Sequence, residues 1–408
     1  EPSFLHRLRR LRNIALVAVD DPQAALGRAG AYRRSLLPDL QVVGLTGSNG
    51  KTTTKEILAA ILESAGSTLA TRGNLNNHLG VPITLLSLEP THRYAVIEMG
   101  ASGPGEIDKL AAMARPHVGI ITIIAPAHLE GFGSLEGVRR AKGEIVRHIA
   151  VSGTFVVNAD DPSCVEIAKG FSGNLLRFST HDSKNADVWA KDIQAAGPDG
   201  MSFVLYAGKD SRLVRLPMLG EHNVSNALAA ACAALALRLS LDQIVSALER
   251  VRPAEMRSEL HVGSDGTVLL LDCYNANPLS MSRALETLSK MQGVGRKIAI
   301  LGQMNELGGA AESFHTALGE EAARQGIDWL LYTGAYSEEV VEAAKQAGLK
   351  RAESFPSHAE ILSALARDLK PGDRILVKGS RGAQMEKVAL PLLRKIERKP
   401  QEGREEAR

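Results

Sequence analysis

The residues with the clearest chemical role lie in a glycine-rich segment, where positions 44–54 read GLTGSNGKTTT. From Gly47 to Thr52 the segment has the glycine, lysine and hydroxyl spacing of a phosphate-binding loop. Leu45 stands where the usual pattern has its first glycine, next to Gly44. An apolar run precedes the loop and a helical pattern follows it. Backbone N–H groups and a helix N-terminus would therefore face an anion at this point.

Each side chain of the loop has an expected task. Lys51 would reach the terminal phosphates of a nucleotide, and the hydroxyl of Thr52 or Thr53 would bind magnesium. The backbone cradle would consist of Gly47, Ser48, Asn49 and Gly50. The alternative is a glycine-rich turn from strand to helix that has no ligand.

Two further polar groups follow apolar runs that are typical of strands. YAVIE ends in Glu98, and ITIIAPAH ends in His128. In open α/β sheets, ligands bind beyond the carboxyl ends of the strands. A carboxylate after apolar residues needs a partner, which would be either magnesium beside ATP or a cap or hydrogen bond. Histidine is an unusual ligand for a hard cation such as magnesium, so a hydrogen-bonded histidine is the alternative for His128.

Lys142, in the run RRAKGEI, allows two interpretations. The simpler one is a surface lysine on a helix. In the other, the amine lies near a metal and phosphate site, loses its charge there, and reacts with carbon dioxide to give an anionic carbamate. The residues alone favour the surface lysine.

The elements that must position these groups alternate between short apolar runs and helical patterns, which predicts parallel sheets covered by helices on both faces. Residues 201–216 differ, because two β-rich runs flank a polar turn and predict a hairpin at a sheet edge. We place a domain boundary near Pro253. The fold class is therefore α/β, with a central P-loop domain of parallel strands and a C-terminal Rossmann-like α/β domain.

Composition excludes several classes of function. The chain has 408 residues, of which 44% are hydrophobic, and a formal net charge of +2. That balance indicates neither nucleic acid nor a membrane as partner. The longest apolar run, 118–127, is too short to span a bilayer. The three cysteines lack metal-ligand spacing, so we expect a reduced, cytoplasmic setting.

Taken together and in order, the motifs resemble those of the Mur ligase family, over nearly the whole chain from about Leu16 to Arg394. They most resemble the members that join D-alanyl-D-alanine to UDP-N-acetylmuramoyl-tripeptide in bacterial peptidoglycan synthesis. The motifs that carry the resemblance are TGSNGKTT, GNLNNHLGVPITLL, AHLEGFGS, AKGEI, VNADDP, GEHNVSNALAA, CYNANPLSM, GQMNELG and KGSRGAQME.

This resemblance implies a reaction and its partners. ATP would phosphorylate a peptide carboxylate to an acyl phosphate, and the amine of D-alanyl-D-alanine would then attack it. The implied cofactors are ATP and two Mg²⁺ ions. A monomeric, cytoplasmic bacterial enzyme is expected. The alternatives are another Mur or folylpolyglutamate-type ligase, and an ATP-binding module with no ligase activity.

The resemblance also implies roles for individual residues. Lys51 and Thr52 would hold the phosphates and magnesium, Glu98 and His128 would be metal ligands, and Lys142 would be the carbamylated lysine, which reverses the reading from the residues alone. Asn74 and Asn226 would lie near the adenine, Arg257 would reach the phosphates, and Asp272 would approach the ribose. The face that receives the dipeptide or the growing peptide would include Asn275, Asn277, Lys378, Ser380 and Arg381.

The chain departs from the family pattern at three places. Gln303 stands where an acid is usual, and Cys273 where a serine is usual. Only about forty residues precede the loop, so most of the domain that binds uridine diphosphate is expected to be missing. The resulting division is a remnant and linker at 1–40, a central ATP-binding domain at 41–252, a C-terminal domain at 253–396 and a charged tail at 397–408.

Overall fold

The protein is described by a computed structural model that covers residues 17–181 and 184–397. Residues 1–16 of the expected N-terminal remnant and residues 398–408 of the expected tail lie outside this range. The strands are β1 Gln41–Thr46, β2 Thr68–Ala70, β3 Tyr94–Glu98, β4 Val118–Ile121, β5 Thr154–Asn158, β6 Asn174–Ser179, β7 Val188–Ala195, β8 Met201–Ala207, β9 Asp210–Leu216, β10 Glu259–Val262, β11 Val268–Asp272, β12 Lys297–Gly302, β13 Trp329–Thr333, β14 Ala352–Ser354 and β15 Arg374–Lys378.

Helices alternate with most of these strands. They are α1 Pro22–Ser35, α2 Lys51–Glu63, α3 Gly80–Leu86, α4 Glu106–Ala114, α5 Leu129–Phe132, α6 Leu135–Gly143, α7 Pro162–Ala168, α8 Glu221–Ala236, α9 Leu241–Leu248, α10 Pro278–Lys290, α11 Ala311–Arg324, α12 Ser337–Gln346, α13 His358–Asp368 and α14 Glu386–Glu397. Among the described residues, none of the helices combines the length and the hydropathy needed to cross a bilayer.

Two sheets organise the part of the chain that the structure describes. The first has the strand order β2-β3-β1-β4-β5-β6-β7-β8-β9, and the second has the order β10-β11-β15-β12-β13-β14. The pairs from β2 to β7 are parallel, and so are those from β11 to β14. The predicted α/β class with parallel sheets is confirmed. The predicted boundary near Pro253 lies between α9 and β10, in a segment without helix or strand.

The strands β8 and β9 form the predicted hairpin. They pair antiparallel from Met201 with Leu216 to Ala207 with Asp210, and β9 is the edge strand of the first sheet. The burial of β8 alternates, since Phe203 and Leu205 are buried while their neighbours in sequence are less so.

Both faces of each sheet are covered by apolar side chains from helices. On the first sheet, Val43 and Leu45 face one cluster with α2 and α8, while Val42 faces another with α4. The helix α8 is rich in alanine from Ala227 to Ala234, and this stretch is fully buried. Small side chains let α8 lie close to the sheet, which brings its first turns beside the phosphate loop.

The expected end of the N-terminal domain packs onto the central unit. In α1, Arg33 donates to the carbonyl of Leu88, with Nε at 2.8 Å, and Arg34 Nε donates to the carbonyl of Ala114 at 3.3 Å. The backbone of Gly30 lies so close that a Cβ there would be 2.9 Å from Pro82 Cα.

Candidate active site

The phosphate loop follows β1, at the point where β3 lies on one side of β1 and β4 on the other. Such a reversal of strand order opens a crevice at the carboxyl ends of the strands. Gly47 has φ +147° and Gly50 has φ +78°, which favour glycine. A Cβ would lie 2.0 Å from Thr122 Oγ1 at Gly47 and 2.2 Å from Asn226 Oδ1 at Gly50. These two glycines are therefore required for both conformation and space.

Hydrogen bonds to the chain after β4 hold the loop in place. Ser48 Oγ donates to the carbonyl of Ala125 at 2.8 Å, and Ser48 N donates to the carbonyl of Ile123 at 2.8 Å. For this reason β4 ends at Ile121, earlier than the apolar run suggested. His128 does not end a strand but lies immediately before α5, which corrects the expected strand end.

The ammonium of Lys51 lies over the loop. Lys51 Nζ donates to the carbonyl of Gly47 at 2.7 Å. Burial lowers the pKa of Lys51, the charge of Glu98 opposes this shift, and the charge of Arg257 adds to it. Lys51 is therefore close to groups from both halves of the chain.

Glu98 ends β3 and is a buried carboxylate with an exposed fraction of 1%. Thr52 Oγ1 donates to its Oε1 at 3.2 Å, and Asn76 Nδ2 donates to the same oxygen at 2.7 Å. The other oxygen, Oε2, is buried and has no hydrogen-bond partner. A charged oxygen in this situation calls for a cation. Sequence reasoning missed Asn76, although the asparagine-rich run GNLNN was a usable signal.

His128 faces the second half of the chain. It has φ +52°, and its Nδ1 contacts Glu306 Oε2. Burial lowers the pKa of His128. Glu306 opposes this shift, while Lys51 and Lys142 add to it. A neutral imidazole has one nitrogen free to act as a ligand.

Lys142 is buried, with an exposed fraction of 2%, so the surface-lysine interpretation is wrong. Its Nζ donates to the carbonyl of Ala101 at 3.1 Å and lies 5.1 Å from the centre of the Phe132 ring. Burial lowers the pKa of Lys142 to about 7, and the charge of Lys51 adds to that effect. Phe132 of α5 and the carbonyl of Ala101 lie against the amine, and the sequence alone did not reveal this burial.

The residues that could hold a metal are Thr52, Glu98 and His128, all of which line the cleft. Within residues 17–181 and 184–397, three or more His, Cys, Asp or Glu side chains do not converge as a metal site. A magnesium ion here would therefore complete its shell with phosphate oxygens and water, as Mg²⁺ commonly does. The buried, unpartnered Oε2 of Glu98 fits such an ion.

The second sheet presents the ends of β11 and β15 to the same cleft. Asp272 and Lys378 end these neighbouring strands, and Lys378 Nζ donates to Asp272 Oδ2 at 2.5 Å and to the carbonyl of Asn275 at 3.1 Å. Ser380 is buried, and its Oγ accepts a hydrogen bond from Asn305 N at 2.9 Å. Arg381 is exposed at the rim, 3.4 Å from Glu386.

A reciprocal amide pair joins the phosphate loop directly to the start of α10. Asn49 Nδ2 donates to Asn277 Oδ1 at 3.0 Å, and Asn277 Nδ2 donates to Asn49 Oδ1 at 2.7 Å. Asn277 also caps α10, since its Oδ1 accepts from Ser280 N. The phosphate loop is thus tied to the N-terminus of a helix in the C-terminal half.

The remaining expected site residues line one cleft of about 750 Å³. The guanidinium of Arg257 lies 4.1 Å from the centre of the Tyr274 ring. Asn226 is buried, and its Nδ2 donates to Asn223 Oδ1 at 3.1 Å, whereas Asn74 is exposed. The residues expected at the site that line this cleft are Ser48, Asn49, Gly50, Lys51, Thr52, Thr53, Asn74, Glu98, His128, Asn226, Arg257, Asp272, Asn275, Asn277, Lys378, Ser380 and Arg381.

The two unusual residues have different surroundings. Cys273 is fully buried in the apolar cluster with α14, and burial raises the pKa of its thiol to about 12. Gln303 Nε2 donates to Asn305 Oδ1 at 2.9 Å, and its Oε1 accepts from Ala335 N at 2.9 Å. Cys273 therefore acts in packing, while Gln303 braces the loop that leads to Glu306.

Comparison with known proteins agrees with this arrangement of two units around one cleft. The Mur ligase middle domain matches residues 45–234, and the Mur ligase, glutamate ligase domain matches residues 256–381. The chain belongs to the Mur ligase family. The first matched region of this Mur ligase contains the first sheet apart from the first four residues of β1. The second matched region contains the whole second sheet.

Relatives of this Mur ligase are similar along most of their length. The UDP-N-acetylmuramoyl-tripeptide–D-alanyl-D-alanine ligase of Escherichia coli strain K12 is 39% identical over 377 residues, which cover 92% of this chain and 81% of the relative. A crystal structure of MurF from Acinetobacter baumannii has a TM-score of 0.86 and 38% identity, covering 95% of this chain and 84% of that one. MurF ligase from Thermotoga maritima in complex with ADP has a TM-score of 0.84 and 28% identity, covering 94% and 86%.

The geometry of the loop predicts that Gly50→Ala weakens the binding of nucleoside triphosphate. The new Cβ would collide with Asn226 Oδ1 and displace the loop from the conformation that faces the phosphates, so we expect about a tenfold loss of affinity, which corresponds to about 1.4 kcal/mol. Titration with a fluorescent ATP analogue measures the effect.

Gly208→Ala is the matched control, because Gly208 has φ +60° in the β8–β9 hairpin and open space around it. This variant should have a lower Tm but unchanged affinity. Equal affinities for the wild type and Gly50→Ala would contradict the assigned loop.

Proposed function

We propose that this Mur ligase adds D-alanyl-D-alanine to UDP-N-acetylmuramoyl-tripeptide, using ATP, in peptidoglycan precursor synthesis. The observation that carries the proposal is the phosphate loop beside the buried, unpartnered oxygen of Glu98, in a cleft shared by two sheets. The E. coli relative bears the name of this activity, and the T. maritima relative was solved with ADP.

The central half would hold the phosphates of ATP. Backbone N–H groups from Gly47 to Gly50 and the N-terminus of α2 favour anions, and Lys51 adds a full positive charge. Thr52 and Glu98 would bind magnesium, with His128 as a further ligand. The ion, when bound, offsets negative charge on the transferred phosphoryl group.

The reaction would proceed in two transfers. A carboxylate oxygen of the tripeptide attacks the γ-phosphorus of ATP, and the bond to the β,γ-bridging oxygen breaks, so ADP leaves with the electron pair. The free amine of D-alanyl-D-alanine then attacks the acyl carbon. Phosphate leaves with its electron pair, and the nitrogen loses a proton to give the amide. The protein itself needs only to hold the reacting groups in position and to offset their negative charge.

The C-terminal half would supply the remaining contacts. Arg257 would reach the phosphates, since its charge already acts on Lys51. Asn74 and Asn226, which belong to the central half, would lie near the adenine, and Asp272 of the C-terminal half would lie near the ribose. The dipeptide or the growing peptide would contact Asn275, Asn277, Lys378, Ser380 and Arg381. Within this set, Lys378 and Ser380 act in part through the hydrogen bonds that fix the loops after β11 and β12.

Lys142 would act as a carbamate. Its amine is buried and has a lowered pKa, so a large share is neutral near pH 7 and able to react with carbon dioxide. The reaction joins the amine nitrogen to the carbon of carbon dioxide and releases one proton. The new anion would face Lys51, whose positive charge would stabilise it, and would offer oxygen ligands to a second magnesium ion.

The carbamate should be detectable without any turnover. In ¹³C NMR with labelled bicarbonate, we expect a carbamate signal that rises between about pH 6 and about pH 8, because the neutral amine increases as the pH passes the pKa. Lys142→Arg should abolish this signal, and Lys109→Arg, at an exposed lysine of α4, should not. A signal that persists in Lys142→Arg would refute the assignment.

The proposed function is tested by ADP release from ATP and magnesium with UDP-N-acetylmuramoyl-tripeptide and D-alanyl-D-alanine, omitting each component in turn. We expect release that requires both the tripeptide and the dipeptide. Release that needs neither would favour an ATP-binding module without ligase activity. Release that occurs with another carboxylate and amine would favour a different Mur or folylpolyglutamate-type ligase.

A further inference from the structure

A short segment after β12, in the C-terminal half, crosses the cleft and reaches the side that carries His128. Glu306 Oε2 contacts His128 Nδ1, and the carbonyl of Glu306 accepts from Glu130 N at 3.5 Å. A Cβ at Gly308 would lie 3.6 Å from Glu130 Cα, so the two backbones are also in contact. The junction thus combines a charged pair with direct backbone packing.

The crossing segment is firmly held on its own side. Asn305 N donates to Ser380 Oγ at 2.9 Å, and Met304 N donates to His315 Nε2 at 3.0 Å. Glu306 itself has φ +62°, a conformation that is unfavourable for a side chain other than glycine. His128 has φ +52°, so residues on both sides of the junction adopt this conformation. Unfavourable backbone conformations of this kind persist only where the surroundings enforce them.

The position of Glu306 relative to the ring of His128 has a chemical consequence. A carboxylate at Nδ1 fixes the ring orientation and leaves Nε2 as the free nitrogen. Carboxylates that hold a metal-binding histidine in this manner commonly change metal affinity by 10–100-fold. Here the carboxylate follows a strand of the second sheet, and the histidine follows a strand of the first sheet.

We propose that Glu306 is a positioning residue that orients His128 as a metal ligand, so that the metal site of the central half is completed only when the C-terminal half docks. The inference rests on the proposed function, because it takes His128 to be a ligand. Docking and metal binding would then strengthen each other, because thermodynamic coupling between two binding events is reciprocal. A metal-loaded cleft would favour the closed arrangement in which water is excluded from the acyl phosphate.

The test uses EPR to measure the affinity for Mn²⁺ in the presence of a non-hydrolysable ATP analogue. Glu306→Ala should weaken one Mn²⁺ site by about 10–100-fold, and Glu306→Gln by less, because its amide oxygen still accepts from Nδ1–H. Glu312→Gln, at an exposed carboxylate in the first turn of α11, should match the wild type.

A double-mutant cycle distinguishes a positioning effect of Glu306 on His128 from an unspecific disturbance of the structure. If Glu306 acts through His128, the variant with both Glu306→Ala and His128→Ala should bind Mn²⁺ as weakly as His128→Ala alone. Thermal unfolding confirms that each variant folds, and Glu306→Gln provides a folded substitute if the alanine variant does not.

Two results would overturn the inference. One is a folded Glu306→Ala variant, or a folded Glu306→Gln variant where the alanine variant does not fold, with the Mn²⁺ affinity of the wild type. The other is a wild type that binds no Mn²⁺ with the analogue. The measurement needs no turnover. A wild type that fails to release ADP but loses Mn²⁺ affinity on Glu306→Ala would therefore refute the proposed function alone.

Discussion

The site depends on one constraint, which is the burial of a carboxylate at the end of a central strand. Glu98 pairs in register with Leu45, so its side chain is fixed beside the start of the phosphate loop. Taking a charge out of water is costly unless it is paired and hydrogen-bonded. Thr52 and Asn76 satisfy one oxygen, and the other is left for a cation.

Positive charge also collects in this part of the site. Burial lowers the pKa of Lys51 and of Lys142, and a neighbouring positive charge adds to each shift, Arg257 for Lys51 and Lys51 for Lys142. Such mutual repulsion is unfavourable in the absence of anions. It becomes useful when triphosphate and carboxylates enter, because the cations are already in place and need little rearrangement. The two halves meet through Asn49 with Asn277, at the phosphate loop, and through His128 with Glu306, on the chain just before α5.

Much of this arrangement could be predicted from the sequence, because several features are local. The spacing from Gly47 to Thr52 predicts the loop, and apolar runs that end in polar groups predict strand ends such as Glu98. The unusual first position of the loop also has a local reason. Leu45 lies within β1 and is fully buried, while Gly44 packs against Met99 and Pro116 and has no role in the turn.

Features that depend on distant parts of the chain could not be predicted. Asn76 meets Glu98 only after the segment that precedes α3 folds back over β3. The burial of Lys142 requires Phe132 and the carbonyl of Ala101, which no spacing rule connects to it. Asn49 and Asn277 are separated by 228 positions, and His128 and Glu306 by 178. Pairings of this kind follow from how the two sheets face each other.

The most direct test of the account is a crystal structure with a non-hydrolysable ATP analogue and Mn²⁺, using anomalous scattering to locate the metal. The account predicts phosphates in the loop from Gly47 to Lys51, an anomalous peak beside Glu98 Oε2, and contacts from Arg257 to the nucleotide. A nucleotide bound outside this cleft, or a metal that leaves Oε2 of Glu98 without a partner, would contradict it.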